Sequence, residues 1–252
     1  MVAARSDEAQ LAVPAYTFRR ITRLEQRLTR RFALADTAIT LPRTGISYRI
    51  ARPAAFDPLL LAAANDPEDH LPYWTLVWPS GIALADRVLM ECEQFVGQRV
   101  LELGCGLGIT ATAAVAAGAS VVVTDYAATA LLICQLNALR NTGRTPITLQ
   151  LNWRRPPFAL WSWAQTPFAH VLAADVLYEE RDVEPLLHLV ERLLAPEGML
   201  WLAEPGRPVA RHFIEAALQR GWHDEVRQQA GPWYAPLDAG VIVHVHCLRR
   251  SR

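Results

Sequence analysis

Apolar positions along this chain switch repeatedly between two periods. Short continuous or alternating runs mark strands, and a spacing of three to four residues marks helical faces. The first periodic stretch is helical. From residue 16 to about 35, Phe18, Ile21, Leu24, Leu28 and Phe32 share one face, while Arg19, Arg20, Arg23, Arg27, Arg30 and Arg31 occupy the other. Residues 38–41 and 46–50 then read as two short strands around the turn Pro42-Arg43-Thr44-Gly45. Residues 52–71 read as irregular, with Asn65-Asp66-Pro67 as a breaker.

From residue 72 the pattern becomes regular. Helices are predicted over 81–95, 108–117, 127–141, 183–194 and 209–220, and strands over 99–103, 120–125, 147–151, 170–175 and 199–203. Two further strands, 224–228 and 241–248, close the chain. Strands alternating with helices of this length make βαβ units. The expected fold is α/β: a Rossmann-like, mostly parallel sheet with helices on both faces, plus an N-terminal helix and hairpin. The expected division is an N-terminal elaboration over 1–70 and the main domain over 71–252.

Composition narrows the function classes. A chain of 252 residues with 52% hydrophobic content can bury a large single core. Net charge is zero, so bulk electrostatics makes no case for nucleic acid or a membrane surface. All 25 basic residues are arginine, so no side chain of this protein can serve as a lysine substrate. The arginine face of the first helix is either a solvated face or a docking arm for an acidic macromolecular partner. Cys92, Cys105, Cys134 and Cys247 are scattered without a C-x-x-C pair, which is neither a disulfide framework nor a zinc site. No metal site is expected, and a reducing cytoplasm is the expected location. No apolar stretch approaches the roughly 20 residues of a membrane span, and the N-terminus lacks a signal-peptide core.

The chemistry concentrates after the first strand of the main domain. Val100-Leu101-Glu102-Leu103-Gly104-Cys105-Gly106-Leu107-Gly108 reads as a buried strand, a glycine turn and the start of a helix. Open α/β sheets hold nucleotide-like ligands at such junctions. The spacing is G-x-G-x-G, and Ile109 takes the place of the third dinucleotide glycine. No phosphate-binding Gly-Lys-Ser/Thr is present either. Asp125 ends the next strand and can accept from ribose hydroxyls, or cap the following helix. Trp153, in Leu151-Asn152-Trp153, can stack on an adenine or close the edge of the core. Asp175 ends an apolar strand at the crevice, poised for chemistry or for a helix cap. Glu179, Glu180 and Asp182 are expected to complement the N-terminus of the next helix.

The run E-x-G-x-G-x-G resembles motif I of class I S-adenosylmethionine-dependent methyltransferases. Three further stretches sharpen the likeness: Pro72-Tyr73-Trp74-Thr75-Leu76-Val77-Trp78-Pro79-Ser80-Gly81, Asp175-Val176-Leu177-Tyr178, and Glu204-Pro205-Gly206-Arg207-Pro208. In this order they resemble the seven-β-strand protein-lysine methyltransferases, including the branch that acts on the β-subunit of electron-transfer flavoprotein. The resemblance implies a seven-stranded sheet with an antiparallel final strand and S-adenosylmethionine as methyl donor. It implies a protein partner with a target lysine, a flavoprotein subunit among the candidates. Matched residue by residue, Glu102, Gly104, Cys105, Gly106, Asp125, Tyr126, Asn152 and Trp153 would hold the cofactor. Trp78, Ser80 and Gly81 would wall its methionine end, with Asp175 beside the transferable methyl. Asp175 and Tyr178 would carry the catalytic roles, facing the acceptor amine, with Tyr73, Trp74 and Tyr178 binding the substrate. The chain departs from the family pattern in its basic N-terminal helix. Asn152 also stands where many class I methyltransferases carry an acidic residue.

Methyl transfer to lysine needs a neutral amine. A lysine in water titrates at about 10.4, so freeing it at pH 7 costs roughly 4–5 kcal/mol. An aromatic slot of Tyr73, Trp74, Trp78 and Tyr178 would lower that cost by disfavouring the charged form, and Asp175 would orient the nucleophile. Two other assignments fit motif I. One is a small-molecule N- or O-methyltransferase with the helix and hairpin of residues 16–50 as a lid. The other is a non-catalytic module that binds S-adenosylmethionine.

Overall fold

A computed structural model describes residues 15–63 and 71–251. The chain opens with α1 (Ala15–Thr29), followed by an antiparallel hairpin of β1 (Leu34–Thr40) and β2 (Ser47–Pro53). A short helix α2 (Asp57–Ala63) precedes the main sheet. Then come α3 (Pro79–Met90), β3 (Arg99–Leu103), α4 (Ile109–Ala116), β4 (Ser120–Asp125), α5 (Ala128–Thr142) and β5 (Ile147–Gln150). The second half supplies β6 (Phe168–Ala174), α6 (Val183–Leu193), β7 (Leu194–Glu204), α7 (Pro208–Gln219), β8 (Trp222–Ala230) and β9 (Ile242–Arg250).

The main sheet has seven strands in the order β5-β4-β3-β6-β7-β9-β8. The first five run parallel, and β9 lies antiparallel between β7 and β8. This is the expected fold class. The strand order reverses between β3 and β6, which opens a crevice at the carboxyl ends of those strands. Alternation along each strand sends side chains to two separate cores. Val100, Val121, Val123 and Trp201 pack under α3, α4 and α5, whereas Leu101, Leu103, Val122 and Leu202 pack under α6 and α7.

The N-terminal elements join the first of these cores through Leu24, Leu28, Ile39 and Ile50. Asn137 of α5 is fully buried and ties β2 to the glycine turn. Its amide exchanges hydrogen bonds with Ala51 at 2.7 and 3.0 Å and donates to Leu107 O at 2.8 Å.

Several elements differ from the sequence reading. The first helix ends at Thr29, not near residue 35. Leu28 O accepts both Arg31 N and Phe32 N, and the chain enters β1 at Leu34, where burial alternates at Thr37 and Ile39. The arginine face is partly engaged: Arg20 donates to Thr145 Oγ1 at 3.0 Å and Arg31 to Thr129 Oγ1 at 2.6 Å. Part of the expected irregular stretch is α2, while Asn65-Asp66-Pro67 lies outside the described residues. A 3-10 segment over Phe158–Gln165, not predicted, fills the approach to β6 and buries Leu160. Among the described residues, no helix is long and apolar enough to cross a membrane.

Candidate active site

A cavity of about 350 Å³ opens at the strand ends where the order reverses. Its floor is the glycine turn after β3. Cys105 N–H donates to Thr124 O at 2.9 Å, so the turn stays laced to β4. Gly104, Gly106 and Gly108 all hold positive φ, and two of them also leave no room for a side chain. A Cβ on Gly104 would stand 2.8 Å from Val176 Cγ1, and one on Gly108 would stand 2.6 Å from Cys134 Sγ. The turn is therefore wedged between the extension of β6 and α5.

Asp125 closes this turn. Its Oδ2 accepts Gly106 N–H at 2.9 Å and its Oδ1 accepts Ala127 N–H at 2.8 Å. Asp125 does not cap α5, whose N-cap is Ala127 without a side-chain bond; it braces the turn ahead of that helix and lines the cavity. Each carboxylate oxygen has two acceptor sites, so these backbone bonds do not exhaust it. Glu102 is buried beside it, and its Oε2 accepts no hydrogen bond. Burial, and then the charge of Asp125, push the Glu102 carboxyl well above the usual carboxylate range, against a hydrogen bond from Ala111 N–H.

Asp175 follows β6. Its Oδ1 accepts Arg207 Nε–H at 2.5 Å, while Oδ2 is buried without a hydrogen-bond partner. No helix begins at this residue; the next turn is the 3-10 segment Glu180–Asp182.

Trp153 lines the cavity, and its orientation has a cause that the sequence reading missed. Asp182 was expected to complement a helix N-terminus, yet its side chain makes no capping bond and is fully buried. Its Oδ1 accepts Trp153 Nε1–H at 2.8 Å and Arg154 Nε–H at 2.5 Å, and its Oδ2 accepts Arg154 Nη2–H at 3.0 Å. Adjacent to the tryptophan, Asn152 Oδ1 accepts Arg154 N–H at 2.9 Å.

Aromatic side chains form the opposite wall. Trp78 Nε1–H donates to Tyr73 O at 3.0 Å. The Tyr73 ring meets Trp78 and Tyr178 edge-on, at 6.0 and 5.9 Å between centroids. Burial, aided by the charges of Asp182, Glu179 and Asp125, pushes the Tyr178 hydroxyl up to about 12, so it is a neutral donor at physiological pH.

Fourteen of the residues singled out from sequence meet at this cavity: Tyr73, Trp74, Trp78, Gly81, Glu102, Gly104, Cys105, Gly106, Asp125, Tyr126, Asn152, Trp153, Asp175 and Tyr178. Two need adjustment. Ser80 is fully buried with an unpartnered Oγ and is set back from the lining, which is reached instead by Gly81. The Trp74 ring lies 6.4 Å from Phe32 and packs on the core, while its backbone carbonyl stands over Gly106. Sequence reasoning missed Leu59 and Ala63 of α2, which also line the cavity. The signal was the apolar run Leu59-Leu60-Leu61 inside a stretch read as irregular.

The lining carries three carboxylates and no basic side chain among the described residues. Nothing in this lining would pair with a pyrophosphate. Among the described residues, no group of His, Cys, Asp and Glu could hold a metal ion.

Known proteins resemble this chain in sequence and in fold. The electron transfer flavoprotein beta subunit lysine methyltransferase of Danio rerio is 44% identical over 166 residues, covering 63% of this chain and 61% of that protein. Its Xenopus laevis counterpart is 30% identical over 171 residues, covering 63% and 64%. The EEF1A lysine methyltransferase 3 of Mus musculus is 30% identical over 158 residues, covering 61% and 66%. The matches to the two flavoprotein-subunit enzymes span a little over three fifths of their length. Among solved structures, a TehB-like SAM-dependent methyltransferase from Corynebacterium glutamicum aligns with TM-score 0.51 at 18% identity, covering 76% of this chain and 92% of that one. A ribosomal protein L11 methylase from Lactobacillus delbrueckii aligns with TM-score 0.50 at 18% identity, covering 70% and 81%. At those identities the likeness is one of fold. The profile of the lysine methyltransferase family matches residues 67–219, from ahead of the Pro72–Gly81 segment to the end of α7, and this chain belongs to that family.

Proposed function

We propose that this protein transfers methyl groups from S-adenosylmethionine to lysine side chains of a protein acceptor. The names of its relatives make the β-subunit of electron-transfer flavoprotein the first acceptor to test. The observation that carries this reading is the lining of the cavity: Asp125, Asp175 and the buried Glu102 carboxyl surround a glycine turn, with no basic side chain in the lining among the described residues. The donor fits such a lining because it combines a ribose, a primary amine and a cationic sulfur, and has no phosphate.

Asp125 would take the ribose hydroxyls, Trp153 would stack on the adenine, and the unpaired Glu102 Oε2 would answer a donor or cation at the methionine end. When bound, the donor supplies an activated methyl; the nitrogen–carbon bond forms as the sulfur–carbon bond breaks, and the bonding pair stays on sulfur. The protein's part is alignment and exclusion of water. Tyr73, Trp78 and Tyr178 would strip water from the acceptor ammonium, which must lose a proton to react. Asp175 would orient the amine rather than act as its base, since a carboxylate favours the charged form.

The test incubates the purified protein and labelled donor with the flavoprotein subunit and, separately, with a lysine-containing proteome extract, read by intact mass. Methyl increments on a protein lysine support the reading. Label in small metabolites alone would make this a small-molecule methyltransferase, and binding without transfer would make it a non-catalytic module.

A further inference from the structure

Asp175 is the one non-glycine residue with positive φ among the described residues, at 57°. A left-handed aspartate is strained and persists only where its surroundings over-determine it. Here two contacts do so. Asp175 N–H donates to Ala203 O at 2.8 Å, and Oδ1 is held by Arg207 Nε–H at 2.5 Å.

Arg207 is itself fixed. Glu204 Oε2 accepts both Gly206 N–H and Arg207 N–H at 2.6 Å, which shapes the turn between β7 and α7. Glu204 Oε1 lies 3.2 Å from His244 Nδ1 and 3.6 Å from His246 Nε2, so the turn is anchored to the antiparallel strand β9. The guanidinium also sits 6.0 Å from the centroid of Trp78. Each link restrains the next, and the last atom in line is Asp175 Oδ2, buried, unpartnered and on a residue that lines the cavity.

We infer that Arg207 is the positioning residue of this site: held by Glu204, it occupies Asp175 Oδ1 and leaves Oδ2 as the acceptor for an ammonium N–H in the cavity. This rests on the proposed donor site. The sequence Glu204-Pro205-Gly206-Arg207-Pro208 supplies the clamp, the turn and the guanidinium in one stretch, which explains why that segment stands where it does.

Sinefungin, a nucleoside analogue in which an amine-bearing carbon replaces the methylated sulfur, sets an ammonium in the place of the transferable methyl and probes Oδ2 without turnover. The experiment measures by calorimetry the affinities of wild type, Arg207→Gln, Arg207→Lys, Asp175→Asn and the double variant for sinefungin and S-adenosylhomocysteine. A charge-assisted hydrogen bond predicts that the preference for sinefungin falls about tenfold in Arg207→Gln and in Asp175→Asn. The double variant should fall no further, Arg207→Lys should recover part of the preference, and affinity for S-adenosylhomocysteine should stay within about threefold of wild type. An unmoved preference in Arg207→Gln overturns the inference, as does an equal loss for both nucleosides, which would make the arginine merely structural. Wild-type protein that binds neither nucleoside overturns the donor reading, and this inference with it.

Discussion

Replacing Asp182 with asparagine tests whether a buried ion pair holds Trp153 against the cavity. Asp182 is fully buried and meets Arg154, whose side chain is 13% exposed, through both carboxylate oxygens. Removing one member of such a pair leaves a desolvated charge and costs about 3–5 kcal/mol. Glu179 Oε2 stays 3.3 Å from Arg154 Nη2 and offsets part of the loss, so the low end of that range, about 3 kcal/mol, is expected. The asparagine oxygen can still accept Trp153 Nε1–H, but its amide then points donors at a cation. Adding Arg154→Met removes the stranded charge, and the double variant should recover about 2 kcal/mol over the single. Urea unfolding of wild type, Asp182→Asn and Asp182→Asn/Arg154→Met, with unchanged slopes, gives these differences directly. A loss below about 1 kcal/mol in the single variant, or a double variant less stable than the single, would refute the reasoning.

Gly108→Ala combines a left-handed backbone with a Cβ at 2.6 Å from Cys134 Sγ and 2.8 Å from its Cα. It should lower stability by about 2–5 kcal/mol, measured by chemical denaturation. Gly143→Ala, also at positive φ but with open space around it, should cost only about 1–2 kcal/mol, and equal costs would count against the packing argument. Asp125→Ala should weaken S-adenosylhomocysteine binding first, by about tenfold or more on calorimetry, since it removes the clamp on Gly106 as well as the wall. Asp175→Ala should keep most cofactor affinity and lose methyl transfer in a radiolabel assay; unchanged turnover would remove its role. Burial alone would lower the His246 pKa, but its hydrogen bond to Asp224 and the nearby Glu204 carboxylate outweigh this and raise it to about 9. The resulting stabilisation, on the order of 3 kcal/mol, is full below the unfolded value near 6.5 and is lost as pH rises through about 9. Urea midpoints should therefore fall between pH 6 and 10 in wild type and fall less in His246→Gln.

The residues that a local pattern can announce were legible in the chain. The strand–turn–helix at Val100–Gly108 has a geometry set by neighbouring residues, and glycine spacing reports it because no Cβ fits there. Strand and helix order followed from a change of period, and the sheet then had few topologies to adopt. Boundaries were less legible where two patterns overlap. Leu28 and Phe32 continue a helical face in sequence, yet the chain leaves the helix after Thr29 and enters β1, which buries Thr37 and Ile39 by alternation.

What the sequence determined by itself is the fold class, the family and the floor of the cavity, because each depends on residues within a few positions of one another. Only the tertiary structure decided which partners the charged groups took. Asp182 looked like a helix-end charge and became the buried anchor of Trp153 and Arg154, 29 and 28 residues away. Arg207 reached Asp175 across 32 residues, and the Trp74 ring packed near Phe32 while the Tyr73 ring met Trp78 and Tyr178. A buried charge must find a partner, and the one it finds is set by which strands lie side by side, which no local spacing encodes.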